Sequence, residues 1–370
     1  MATLGLIFSG SHCKSDLPLT KHRAVASVPV GGRYRLIDFT LSNMVNDGIS
    51  HIGLVTTFNY QSLMDHLESG KEWDLARSNS GLTILPPYTN KPSKYNTRLE
   101  SMKNIVEFIK RSPEEYVVLT DSYYMCNLEL DGAFKLMFEK NADIVCIYRK
   151  KEMNEDDYYP IKSLKIDEEG RIIKMDFLNS ARGEKDISLD IHIMRKDFLV
   201  SLIEEAIDND LHTFNKDILA KNLDNYRVFG YRFDGWYGEV TSLQSYFDLN
   251  MSLLNMDVRT ELFFNKNRPI STKVRGSNPT KFLTGSKVKN STIADGCVID
   301  GYVENCVLFR GVVVKKGAYL KNCIIMQDTV IGENAHLEYV ITDKDAVISD
   351  GKQIITDYKH LLFVKKGERV

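Results

Sequence analysis

In the first two thirds of the chain, short apolar runs alternate with longer stretches of helical spacing. Leu4-Gly5-Leu6-Ile7-Phe8 is continuous and apolar, as in a strand buried on both faces. Similar runs at 51–56, 116–121 and 142–148 predict further strands, and 161–177 and 188–194 extend the set. Between them, 59–69, 196–208, 213–222 and 241–254 read as helices. Leu36, Ile37, Leu41 and Met44 predict a helix that ends near Gly48 and is fed by a turn at Gly31-Gly32. Alternating strands and helices predict a mostly parallel, doubly wound sheet.

The pattern changes after about residue 265. Asn265-Lys266-Asn267-Arg268-Pro269 is linker-like. Beyond 280, Val314 and Leu320 lie six apart, as do Ile331 and Leu337, with Ala318 and Ala335 two residues before Leu320 and Leu337. Asp295-Gly296, Asp300-Gly301 and Lys316-Gly317 punctuate the gaps. A six-residue period of this kind predicts a parallel β-helix whose coils bury a central aliphatic stack. Leu320 and Ile331 are eleven apart, so the register slips once. The expected organisation is a domain over 1–262, a linker over 263–280 and the β-helix over 281–370. Apolar residues such as Val312, Val313, Tyr319 and Ile324 cannot all point inward, so 281–365 is expected to provide a subunit interface.

Charge and cysteines narrow the class. A formal net charge of −2 gives no reason to expect a nucleic-acid binder. The six cysteines, at 13, 126, 146, 297, 306 and 323, form no CxxC pair and suit reduced thiols in a cytoplasmic protein. No leader and no membrane-spanning run are expected.

The candidate chemistry sits in loops. Ser9-Gly10-Ser11-His12-Cys13-Lys14-Ser15-Asp16 follows the first strand, where α/β sheets hold phosphates, but Gly10 is its one glycine. Asp121 closes the 116–121 strand, a position from which such sheets present ligand-binding groups. His12 and His66 have no partners at ligand spacing and read as structural. Trp236, Tyr237, Tyr246 and Phe247 read as core or rim aromatics.

A long ordered set of residues carries a resemblance. It runs through Pro18-Leu19-Thr20, Arg23-Ala24, Val28-Pro29, Gly31-Gly32-Arg33-Tyr34-Arg35-Leu36-Ile37-Asp38-Phe39, Leu41-Ser42-Asn43, Asp47-Gly48-Ile49 and Ser62-Leu63 with His66. It resumes at Ser245-Tyr246, Asn250-Met251 and Leu253-Leu254. Across essentially its full length the chain resembles the ADP-glucose pyrophosphorylase (glucose-1-phosphate adenylyltransferase) family. The resemblance implies an α/β fold, a nucleotidyltransferase-like Rossmann-type mixed sheet followed by a C-terminal left-handed parallel β-helix, and tetramers.

The departures from that family lie in its chemistry. Its loop Gly-Gly-x-Gly-Thr-Arg-Leu stands here as Gly10, Ser11, His12, Cys13, Lys14, Ser15 and Asp16, and its Arg-Ala-Lys-Pro as Arg23-Ala24-Val25-Ala26. Gly-Asp-His becomes Thr120-Asp121-Ser122, which keeps the first carboxylate. The second metal carboxylate falls on Gln244, a poor magnesium ligand, and the Glu-Lys sugar-phosphate clamp on about Phe177 and Leu178. Gly10, Ser11, Cys13, Ser15, Val25, Asp121 and Gln244 are therefore degenerate equivalents of catalytic residues. Each lost donor costs on the order of 2.7–4 kcal/mol of barrier.

The chain is thus most like the regulatory, non-catalytic D-type subunits of bacterial glycogen synthesis. The implied partner is a catalytic subunit in a hetero-tetramer. No cofactor or metal of the chain's own is expected, and magnesium would act with ATP at the partner's site. Arg23 and Arg35 match positions where the family binds anionic effectors, here phosphate or a phosphorylated metabolite; the alternative is two surface or salt-bridge arginines. The loop carrying them is expected to be mobile at Gly31-Gly32. Other readings are an active nucleotidyltransferase and a non-enzymatic scaffold. Acyl transfer on the β-helix is disfavoured, because His336 lies within a coil rather than in a loop.

Overall fold

The core of the first domain is one mixed sheet. A computed structural model describes residues 1–10, 17–56, 59–77, 80–87, 97–153 and 161–370. Thr3–Phe8 lies at the centre, parallel to His51–Val55 on one side and to Tyr116–Asp121 on the other. Leu82–Leu85 continues the parallel part beyond His51–Val55. On the other side Gly183–Arg195 pairs antiparallel with Tyr116–Asp121, and Ile144–Met153 pairs antiparallel with it in turn. The sheet is therefore mixed, and its antiparallel half includes a hairpin. The stretch expected as one strand over 161–177 is two, Ile161–Ile166 and Ile172–Leu178. Asp167 makes the turn between them by accepting from the amides of Glu169 and Arg171.

Apolar clusters cover both faces of this sheet. Leu36–Asn46, the helix that follows the Gly31-Gly32 turn, packs Ile37, Leu41 and Met44 into one of them. The stretch read as a helix over 213–222 is a single wide turn of π type, Phe214–Leu219. Met256–Phe263 adds a helix after Leu243–Ser252. The segment that follows is pinned to the first domain: Arg268 pairs with Asp47 at 2.6 Å, and the Ser271 amide donates to Ser42.

From Lys281 onward the chain winds into a left-handed parallel β-helix of three five-stranded sheets. The register slip recurs at one corner of successive coils. Val314, Leu320 and Ile325 are inward residues on three successive faces, and Ile331 returns to the first. The step from the second face to the third is five residues rather than six, and its corner passes through one left-handed residue. Asn305, Asn322 and Tyr339 hold it at φ 50, 52 and 56°.

The third face packs on the first domain. Val307, Ile324 and Ile341 point outward there and meet Leu36, Phe39, Tyr246, Phe247 and Leu253. The named apolar residues therefore divide between the β-helix core, the domain seam and the outer surface. Ile324 is covered by the chain's own first domain, and Val312 lies inside the β-helix core. Val313 and Tyr319 do point outward and are half-buried. The glycine turn packs against both domains. Gly31 donates to Asn250, and the Cα of Gly32 faces Leu308, Ala294 and Thr292 of the β-helix.

Candidate functional site

The strand ends hold the first candidate site. Phe8 and Asp121 end adjacent parallel strands at the edge where α/β sheets bind ligands. Gly183–Arg195 runs past them with an irregularity between Ser188 and Ile191, where Asp190 takes φ 59°. The bulge brings the Asp190 carbonyl and His192 to the same edge. Across it lies Arg98, the first residue of the helix Arg98–Asn104, which Thr97 caps and whose Leu99 and Met102 anchor it in the core.

Arg98 is 2 % exposed and Asp121 1 %. Nη2 of Arg98 donates to Asp121 Oδ2 at 2.5 Å and to the Asp190 carbonyl at 2.8 Å. Nη1 lies 3.2 Å from Nδ1 of His192, and the guanidinium carbon sits 5.3 Å from the Phe8 ring centre. Burial acts to lower the Arg98 pKa, but the carboxylates of Asp121 and Asp190 outweigh it and hold the group above the usual arginine value. Burial, with Arg98 adding to it, pushes His192 down to about 3, so the ring is neutral and Nδ1 can accept. Lys162 and Asn215 complete the network at Asp190.

The other sequence candidates fall around this edge. Gly10 has φ 143°, and a Cβ there would lie 3.1 Å from Val25 Cγ1, so these two residues meet. Val25 is buried in the turn Val25–Ser27. Ser11, Cys13 and Ser15, with His12, Lys14 and Asp16, lie outside the described residues. Gln244 lines a cleft of about 510 Å³ with Arg149, Lys151, Trp236, Tyr237 and Glu239, and its amide donates to Asp248. Phe177 is exposed and Leu178 packs in a small apolar cluster. Sequence reasoning missed Arg98, Asp190 and Glu239, the last a carboxylate that pairs with Lys151 at the cleft.

A divalent ion does not fit this arrangement. With a nucleotide, magnesium takes one or two free carboxylates plus phosphate oxygens and waters. Among the described residues no three His, Cys, Asp or Glu side chains converge to hold a metal, and Asp121 is turned to a guanidinium.

The second candidate site is the seam between the domains. Arg23 pairs with Asp343 of the β-helix through Nη2, at 2.7 and 3.0 Å, while its Nη1 is buried with no partner among the described residues. Arg35 donates to the Ser62 carbonyl and hydroxyl. Neither arginine is on the surface, being 4 and 7 % exposed. Arg35, Arg275, Lys344 and Gln327 border a pocket of about 30 Å³. Burial, then the nearby Arg35 and Arg23, push the Lys344 ammonium down to about 7 against the pull of Asp343. Burial likewise brings Arg35 down to about 10, with Arg23 and Arg275 adding to it and Asp38 opposing. Asp38 is itself engaged by His66 at 2.5 Å, which makes His66 structural.

Residues 4–256 match the family model described as nucleotidyl transferase, and 278–360 the one described as GlmU-like, C-terminal hexapeptide. Over 315 residues, 85% of this chain and 81% of the relative, the chain is 33% identical to "Glycogen biosynthesis protein GlgD" of Bacillus subtilis (strain 168). A protein of the same name from Geobacillus stearothermophilus is 32% identical over 85% of this chain and 82% of its own length. "Glucose-1-phosphate adenylyltransferase" of Thermosipho africanus (strain TCF52B) is 33% identical over 85% and 77%. Among the described residues no helix is long and apolar enough to cross a membrane.

Proposed function

Because the chain belongs to the ADP-glucose pyrophosphorylase family within the nucleotidyl transferases, we propose that it is a regulatory subunit of glycogen biosynthesis with little or no turnover of its own. The observation that carries this reading is the engagement of Asp121 by Arg98. Phosphoryl transfer depends on positioning and on neutralising developing charge. A strand-end carboxylate committed to an internal arginine contributes to neither.

On this reading the chain assembles with a catalytic paralogue, whose site supplies magnesium and ATP, and answers phosphate or a phosphorylated metabolite. The excess of cations at Arg23, Arg35, Arg275 and Lys344 supports an anionic effector. The outward column Val298, Val313, Val330 and Val347 on the β-helix supports a subunit contact, since each is only half-buried in the single chain.

Pyrophosphate release from ATP and glucose 1-phosphate tests the reading, first with the chain alone and then mixed with a catalytic relative. The expected result is background turnover alone and an altered effector response in the mixture. That response should weaken with Arg35→Ala while sedimentation still shows the mixed oligomer. Turnover alone comparable to the catalytic relative, and indifferent to Asp121→Asn, would overturn it.

A further inference from the structure

The Arg98 network has a use beyond explaining an inactive site. Arg98 reaches three neighbouring strands at once: the Phe8 ring, the Asp121 carboxylate and the Asp190 carbonyl. These groups stand at the carboxyl edge of the sheet, the place such folds reserve for ligands. The arrangement is not the one that best satisfies the arginine. Among the described residues, Arg98 Nε and His192 Nε2 are both buried without hydrogen-bond partners. A network left partly unsatisfied in a dry site is costly to keep, which argues that its place in the fold was not shaped by stability alone.

We infer that Arg98 is a built-in plug: its guanidinium takes the place of a divalent cation and its bound triphosphate at Asp121. Arginine suits this role because it stays charged and its planar fork has several donors. A single fixed positive charge satisfies Asp121 in every state of the protein. An exchangeable ion could do so only when bound. The plug also excludes metal–nucleotide, because an entering ion must first expel a buried cation from its carboxylate. The inference rests on the regulatory reading above, yet can fail separately. An inactive chain could still bind metal–nucleotide through Asp121, and a plugged chain could still fail to influence a partner.

The test is binding rather than activity. Manganese, with and without ATP, is titrated against the full chain and followed by electron paramagnetic resonance. Wild type is expected to show no site that depends on Asp121. Arg98→Ala removes the guanidinium from the Asp121 carboxylate and is expected to gain a manganese–ATP site, about tenfold or more tighter than wild type. The double variant Arg98→Ala/Asp121→Asn should lose that gain. A folded Arg98→Ala protein that gains no binding overturns the inference. Should the alanine variant fail to fold, the wild type alone decides through its melting temperature. A melt unmoved by manganese and ATP supports the plug, and a rise in melting temperature that Asp121→Asn abolishes overturns it.

Discussion

Two buried arginine clusters in this chain respond to burial in opposite ways. At the sheet edge, Arg98 and Lys162 face Asp121 and Asp190, and Arg98 is held above its usual pKa. At the domain seam, Arg23, Arg35, Arg275 and Lys344 share Asp343 and Asp38, and both Arg35 and Lys344 are pushed down. Desolvation is the largest influence in all three cases. What differs is the number of cations that the carboxylates must serve. Among the described residues the first cluster's charges balance. The second is short of negative charge, which is the physical condition for taking up an anion.

The largest expected effect comes from removing a carboxylate from each. Asp121→Asn leaves the buried Arg98 without its carboxylate partner, with only the Asp190 carbonyl and the more distant Asp190 charge to hold it, and should cost about 3–5 kcal/mol in urea unfolding. Asp343→Asn strands Arg23 in the same way and should cost a similar amount. The two should then part: millimolar phosphate restores much of the loss at the seam and none at the sheet edge. Equal rescue of both variants, or of neither, would break the comparison.

How much of this was visible in the sequence follows from how far apart the partners lie. The strands and the β-helix were legible because their apolar spacing is local. Its third face was not, because a five-residue corner at Asn305 and Asn322 breaks the period being counted. The 161–177 stretch looked like one strand because the Asp167 turn is charged but contains a single glycine. Asp121 could be picked out as a strand-end carboxylate. Its partner could not, since Arg98 belongs to no motif and its contacts are 23 to 94 residues away. Arg23 and Asp343 are separated by 320 residues, and only the docking of the β-helix joins them. That docking also explains why Arg23 and Arg35 are buried rather than poised at a surface.

Lys344 offers a smaller, signed test. Its folded pKa of about 7 lies below the ordinary lysine value. Well below pH 7 the ammonium is charged in both states, and the folded state bears the full cost of its surroundings. As pH rises through about 7 the folded protein releases the proton while the unfolded chain keeps it. Stability therefore increases with pH over that window. Lys344→Met should be more stable than wild type at pH 6, by about 1–2 kcal/mol after allowing for partial solvent access, and the gap should close as pH rises. Phosphate should stabilise the wild type more at pH 6 than at pH 8.5, and the Met variant less at both. A pH-independent difference would mean that the seam is not short of negative charge.

The smallest effect separates a clasped turn from a mobile one, and here the sign decides. Gly32 holds φ 83° against the β-helix, and a Cβ there would lie 3.4 Å from the Leu308 carbonyl oxygen. If the turn were loose, Gly32→Ala would relax to an ordinary conformation. It would then stabilise the protein by about 0.4–1 kcal/mol, because alanine has fewer unfolded states to lose. If the seam clasps the turn, alanine must stay in the left-handed region at a cost of about 1–2 kcal/mol, and the contact with Leu308 leaves little room to escape. Gly32→Asn should cost less than Gly32→Ala, since asparagine tolerates that region better. Urea unfolding of the two variants therefore reports whether Arg33 and Arg35, on either side of Tyr34, are carried by a fixed frame. A stabilising alanine would reopen the case for a loop that moves when an anion binds.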